Sequence, residues 1–233
     1  MLNVSTFADE TFDGGGLAAE TADGAGLSLR EALGLIAAGT STGPVTFSSA
    51  GTITLVSGPL AIGSSVVMDG DINNDGAPDI VIRNLDNLIG TAAVSLASDG
   101  VSFTNDGAEI ERVASSATIR FVVGVLSAGD DAMITNRGLI NADGGGVSND
   151  LAVAVFYEGD RFTLVNGAGA EIVSAGRYGI EASFATAPVG ATIVNNGLIE
   201  AAEDAVRMGA GSLTNSGIIR TTGVWDGGAG AGF

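Results

Sequence analysis

From Val101 to Gly223 the chain writes one pattern five times: "VSFTNDGAEIERV", "AMITNRGLINADG", "FTLVNGAGAEIVSAG", "ATIVNNGLIEAAE" and "GSLTNSGIIRTTG". Each copy is a short apolar run, an asparagine, a glycine two or three residues on, and a second apolar run. The aligned asparagines are Asn105, Asn136, Asn166, Asn195 and Asn215, at separations of 31, 30, 29 and 20 residues. Such a period is too short for independent domains and too strand-rich for helical repeats. Strand, Asn-Gly corner, strand and return path make one coil of a solenoid. Stacked coils place equivalent strands parallel and about 4.8 Å apart. Equivalent asparagines then lie over one another, and each amide can donate to the next coil, as in other stacked β-structures. Asn and Gly also supply the positive φ that the corner needs. The competing arrangement is a string of β-hairpins, for which Asn-Gly is also a signal. Hairpins would recur at much shorter intervals.

The residues ahead of the repeats differ in texture. After a polar, Gly-rich start, "LSLREALGLIAAG" predicts a helix from Ser28 to Ala38, the only convincing one in the chain. Ser28 and Glu31 stand at capping-box spacing, where hydroxyl and carboxylate satisfy the first free amides. Leu29, Ala32, Leu33 and Ile36 share one helical face, and Gly39 sits at a C-terminal stop. From Gly43 the chain turns to short β-rich runs, Val45–Phe47, Thr52–Val56, Leu60–Ile62 and Val66–Met68, punctuated by Gly, Pro and Ser. We therefore divide the chain into an N-terminal segment with a helix, residues 1–43, and a β-solenoid, residues 44–233.

Composition narrows the partners. Apolar residues make up 45% of the chain but aromatics only 5%, so the core is built of small aliphatic side chains. Acids number 27 against 9 bases, all arginine, for a net charge of −18. Such a surface repels nucleic acid and anionic membranes, and suits saline surroundings or bound divalent cations. The absence of Cys fits either redox compartment in a chain this long. No apolar run reaches membrane-span length, so no membrane insertion is expected. "MLNVSTFADETFDGGG" lacks the basic and apolar regions of a secretory signal peptide. "VWDGGAGAGF" offers no closing element, and we expect a piece of a longer protein whose export signal lies elsewhere.

"LSLREAL" resembles the opening of the Cys-Ser-Leu-Arg-Glu-Ala module of bacterial secreted and surface proteins. Leu27 stands where that family usually has Cys, and Ser28, Leu29, Arg30, Glu31 and Ala32 match. "GTITL" (Gly51–Leu55), "GPLAI" (Gly58–Ile62) and "MDGDINNDGAPDIVI" (Met68–Ile82) follow in the family's order. The resemblance covers roughly Gly24 to Asn84. It implies an all-β, single-stranded right-handed parallel β-helix with an N-terminal capping α-helix, in a large, modular, extracellular or cell-surface protein. The later Asn-Gly repeats are similar to those of adhesin and autotransporter passenger domains. No single reaction is implied.

Between two of these apolar runs lies "DGDINNDGAPDI", Asp69–Ile80. Asp71, Asn73, Asp75, Gly76 and Asp79 read D-x-N-x-D-G-x-x-D, the front of an EF-hand-type calcium loop. Ca²⁺ takes six to eight oxygens, and alternate residues of a tight turn point inward. Asp71, Asn73 and Asp75 would ligate by side chain, Ala77 by its carbonyl, and Asp79 directly or through water. Position twelve, where an EF-hand has a bidentate Glu, is Ile82 in a strand run. The loop is therefore similar to the abbreviated ones of thrombospondin-type, integrin-propeller and dockerin-like proteins, with Asp69 as a possible extra ligand. A solvated, metal-free acidic turn is the competing reading. Asp130-Asp131, Glu158/Asp160 and Glu200/Glu203/Asp204 read as solvated turns. "DGGGVSND" (Asp143–Asp150) fails the spacing of an RTX repeat.

Many β-helices cleave acidic polysaccharides, but Lys and His are absent here. Arg83, Arg112, Arg120, Arg137, Arg161, Arg177, Arg207 and Arg220 are spread singly and read as surface residues. Aromatic residues for sugar stacking reduce to Tyr157, Tyr178 and Trp225. We expect a non-enzymatic, calcium-stabilised structural or adhesive module. Its expected partners are calcium and a cell-surface or glycan ligand, with end-to-end self-association at an uncovered stack end. The alternative is a glycan-active lyase or hydrolase on a neutral or weakly charged polysaccharide, which would show aromatics and two carboxylates within catalytic reach in one groove.

Overall fold

The computed structural model describes residues 1–85, 92–114, 121–144 and 151–223. Strand β1 (Leu2–Val4) is followed by helices α1 (Leu17–Ala22) and α2 (Leu29–Ala37). Three-strand coils then succeed one another. The first is β2 (Val45–Phe47), β3 (Gly51–Leu55) and β4 (Leu60–Ala61). The second is β5 (Val66–Asp69), β6 (Ile80–Asn84) and β7 (Ala92–Leu96). The third is β8 (Ser102–Asp106), β9 (Glu109–Val113) and β10 (Phe121–Ser127). The fourth is β11 (Met133–Asn136), β12 (Leu139–Asp143) and β13 (Leu151–Tyr157). The fifth is β14 (Thr163–Asn166), β15 (Glu171–Ser174) and β16 (Tyr178–Ala182). The sixth is β17 (Val189–Asn195), β18 (Leu198–Ala201) and β19 (Asp204–Arg207). Strands β20 (Ala210–Asn215) and β21 (Ile218–Thr221) start a seventh.

Equivalent strands pair in parallel, giving a first sheet β1-β2-β5-β8-β11-β14-β17-β20, a second β3-β6-β9-β12-β15-β18-β21 and a third β4-β7-β10-β13-β16-β19. This is the parallel β-helix expected from the repeats. Alternation within each strand sends every second side chain inward. In the second sheet Ile53, Ile82, Ile110, Ile140, Ile172, Ile199 and Ile219 stack in one register column. All but the last are buried. Burying one isoleucine contributes about 2 kcal/mol, and its β-branched side chain suits the pleated surface.

The five asparagines occupy one register column at the corner between the first and second sheets. Each Nδ2 donates to the Oδ1 one coil on: Asn105 to Asn136 at 2.9 Å, Asn136 to Asn166 at 2.9 Å, Asn166 to Asn195 at 2.8 Å and Asn195 to Asn215 at 2.7 Å. The same amides reach carbonyls of the neighbouring coil, Asn136 to Glu171 at 3.0 Å and Asn166 to Leu198 at 3.0 Å. All but Asn215 are buried. The ladder therefore satisfies groups whose isolation from water would otherwise be costly.

At the N-terminal end α2 packs against β1 and β4. Its capping box is formed: the Glu31 amide donates to the Ser28 hydroxyl at 3.3 Å and the Ser28 amide to Glu31 at 2.7 Å. Gly39 ends it with φ 68°. Leu29, Ala32, Leu33, Leu35 and Ile36 join the core. Arg30 forks onto Asp9 at 2.8 and 3.1 Å and donates to the Pro59 and Gly58 carbonyls. Asp9 also accepts from the Val56 and Ser57 amides, which ties the N-terminal segment to the first coil. Burial alone would raise the Asp9 carboxyl, but Arg30 and these amides hold it below its ordinary value.

Three local expectations are corrected. A second helix exists: α1 is only six residues long and starts at Gly16 with no side-chain cap, so capping signals do not mark it. Strand β1 also extends the first sheet ahead of Val45. Arg112 is buried rather than on the surface, donating to the Asn84 and Val113 carbonyls at 3.1 and 2.8 Å. Arg120 and Trp225 lie outside the described residues, as does most of the Asp143–Asp150 stretch.

Candidate functional site

The acidic loop is a lengthened corner. Coils three, four and six pass from first to second sheet through two residues, Gly107-Ala108, Arg137-Gly138 and Asn196-Gly197. The second coil makes the same passage through residues 70–79, between Asp69 of β5 and Ile80 of β6. Met68 holds the place that Asn105 holds one coil later. The loop closes on its own base, where the Asp79 amide donates to the Gly70 carbonyl at 2.9 Å. Below it, the Gly70 amide donates to the Asp106 carbonyl at 2.7 Å. The backbones touch so closely there that a methyl on Gly70 would overlap Ala108, and one on Gly107 would overlap Asp71.

Asp71 organises the turn. Its two oxygens accept from the Asp75 amide at 3.1 Å and the Gly76 amide at 2.8 Å. Asn73 accepts from Asp75 at 2.9 Å, Asp75 from the Ala77 amide at 2.8 Å, and Asp79 from the Asn73 amide at 3.2 Å. Asn74 and Gly76 take positive φ, 57° and 84°. Asp71, Asn73, Asp75 and Asp79 thus belong to one small turn with the Ala77 carbonyl. Among the described residues, however, no three carboxylates converge as a ready-made metal cluster. Chemically the donor set is all hard oxygen, which fits Ca²⁺ and not a softer metal. Asp69 lies outside the turn, beside Asp106 in the β5–β8 register. Burial, then the charges of Asp106 and Asp71, raise its carboxyl above the ordinary value.

A second ladder escaped the sequence reading. At the corner from third to first sheet, Asp99 accepts from the Asp130 amide at 2.9 Å, Asp130 from the Asp160 amide at 2.8 Å, and Asp160 from the Val189 amide at 2.9 Å. These aspartates recur at 31 and 30 residues, the interval of the asparagines, and that period was the signal available. Asp130 and Asp160 are therefore structural acceptors as well as turn residues. Asp131 pairs with Arg161 through two bonds of 2.7 Å.

The outside of the third sheet carries aromatic and charged groups aligned on successive strands. Leu126, Phe156, Glu181 and Arg207 are register partners on successive strands, and Phe184 overhangs them from the turn after β16. Phe156, Glu181, Arg207 and Phe184 border a groove of ≈ 430 Å³ with Phe121 and Tyr178. Phe121 meets Phe156 edge to face at 5.5 Å. The Arg207 guanidinium lies 3.9 Å from the Phe184 centroid and 5.1 Å from that of Tyr178, whose hydroxyl it also meets. Arg177 covers Tyr178 at 5.0 Å and pairs with Glu203. Glu181 is only 6% exposed. Its nearest cation is Arg207 at 3.8 Å, beyond hydrogen-bond reach. Burial, against the pull of Arg207 and Arg177, pushes its carboxyl up to about 7. Tyr157, a sequence candidate for sugar stacking, is instead buried against Phe162 at 4.6 Å.

The fold and its corners define a parallel β-helix protein. Comparison with family models, with curated proteins and with solved structures finds no match for this chain.

Proposed function

We propose that this chain is a calcium-stabilised structural or adhesive module of a bacterial secreted or cell-surface protein, of the kind its Ser28–Ala32 motif resembles. The observation that carries the reading is the ten-residue acidic corner at residues 70–79, in a fold that turns the same corner elsewhere in two to four. Turning the chain does not require it. A loop carrying Asp71, Asn73, Asp75 and Asp79 presents hard oxygen donors within ten residues, the donor type that Ca²⁺ takes. Their amide hydrogen bonds fix the turn in advance, so binding has less entropy to lose. Calcium there would clamp the second coil, whose root contacts Gly107 and Ala108 of the third. The long stack of regular coils supports a spacer or display role.

Thermal melts of the full chain in EDTA and in millimolar calcium test this. At ten times Kd, mass action gives about 1.4 kcal/mol of stabilisation. The gain should vanish in Asp75→Ala. An unshifted parent protein, or an equal shift in the variant, refutes the calcium reading.

A further inference from the structure

We propose that the groove on the outer face of the third sheet binds a neutral glycan, with Phe184 and Phe156 as stacking platforms and Glu181 as acceptor for sugar hydroxyls. The inference deepens the adhesive part of the proposed function and takes the class of partner from it, but it does not depend on calcium.

Glu181 is the centre of the argument. Most of the residue is covered, but its carboxyl oxygens open into the groove, and among the described residues it accepts no hydrogen bond. Its oxygens therefore face the groove with acceptor capacity to spare. A vicinal diol supplies two donors to one carboxylate and brings no charge. Arg207 is already engaged with the Tyr178 hydroxyl and stacked on two rings, and Arg177 is paired with Glu203. With Glu181 and Glu203 opposing these two guanidiniums, the groove does not favour an anion.

Shape points the same way. Phe184 is 66% exposed, yet Arg207 steadies it. An exposed, oriented ring suits the C–H face of a pyranose, apolar on the flat side and polar at the rim. Phe156, Glu181 and Arg207 follow one another along the stack at the strand spacing of about 4.8 Å, close to the length of one sugar ring. A linear oligosaccharide along the helix axis would therefore meet an aromatic ring and a carboxylate in successive subsites.

Isothermal titration calorimetry of the full chain with cellohexaose, xylohexaose and maltohexaose supplies the test, with a galacturonate hexamer as the charged comparison. We expect saturable binding of at least one neutral probe. Phe184→Ala and Glu181→Gln should each weaken it about tenfold or more, since a stacking contact and a charge-assisted hydrogen bond are each of that order. EDTA should leave it unchanged. Phe184 is too exposed for its loss to unfold the chain, and circular dichroism checks both variants. The inference falls if no neutral probe binds saturably, if both folded variants bind like the parent, or if galacturonate binds more tightly. Glycan binding without a calcium shift would remove only the calcium reading, and the reverse pattern would remove only the groove.

Discussion

Replacing Asn166 with alanine interrupts the asparagine ladder at its middle. The side chain accepts from Asn136 at 2.9 Å and donates to Asn195 at 2.8 Å and to the Leu198 carbonyl at 3.0 Å. A net hydrogen bond contributes about 1 kcal/mol. Three such bonds, all in the buried corner, place the loss at about 3 kcal/mol. Asn215 marks the other extreme. It is exposed, accepts from Asn195 at 2.7 Å, and its own amide reaches only the Gly217 carbonyl at 3.3 Å. Its replacement should cost about 0.5–1 kcal/mol. Urea unfolding of the two variants gives the comparison, and a cycle with Asn195→Ala should show coupling of about 1 kcal/mol between adjacent rungs. Asn166→Asp adds a check on chemistry. The carboxylate keeps the shape but has no N–H to give, so it faces the Asn195 and Leu198 oxygens. It should be worse than alanine at pH 7 and recover towards pH 4, where protonation restores a donor. If Asn166→Ala is no more damaging than Asn215→Ala, the ladder does not hold the coils together.

Gly197→Ala should cost about 2 kcal/mol or more, because its methyl would overlap the Ala170 carbonyl and crowd the Asn166 amide; a neutral result in urea melts contradicts the close stacking of corners. Glu181 predicts a pH dependence. Folded, with Arg207, Arg177, Asp204 and Glu203 around it, it keeps its proton up to about 7, whereas a free glutamate loses it near 4.5. The folded state thus holds the extra proton between those values, and stability falls as pH rises through them, by about 1–2 kcal/mol once solvent screening at the open groove reduces the full linkage of roughly 3 kcal/mol. Glu181→Gln should flatten that fall in melts at pH 5 and pH 8, and an unchanged slope refutes the assignment. Among the described residues nothing covers the outer edges of β20 and β21, where Leu213 and Ile218 are exposed. Bare edges invite pairing, and the net charge of −18 opposes side-by-side contact. Light scattering should therefore show end-to-end species with rising concentration, and a strict monomer refutes this.

The sequence showed most plainly what recurs at one interval. The asparagine ladder, the coil spacing and the parallel sheets follow from five corners, the first four of them near thirty residues apart. Helix α2 was legible because Ser28, Glu31 and Gly39 are local signals with local causes. Helix α1 was not, since Gly16 caps it without a side chain. The acidic corner was legible as a motif, but its place in the stack depends on register, which puts Met68 over Asn105. Asp99, Asp130 and Asp160 carried the same period as the asparagines and went unread because acidic residues at turns pass for solvated ones. The groove left no trace in the sequence. Phe156, Glu181 and Arg207 come from three coils, and only the vertical alignment of strands brings them together.

The asparagine ladder has a direction. Every rung from Asn105 to Asn195 donates forward, towards the C-terminal end, and every rung from Asn136 on accepts from behind. A coil inserted between any two rungs would accept from its predecessor and donate to its successor, with no contact left to invent. The gene can therefore change the reach of this protein by duplicating a stretch of about thirty codons, each copy lengthening the rod by about 4.8 Å. Its dimension along the axis is inherited as a count, and selection can adjust that count without redesigning the interior.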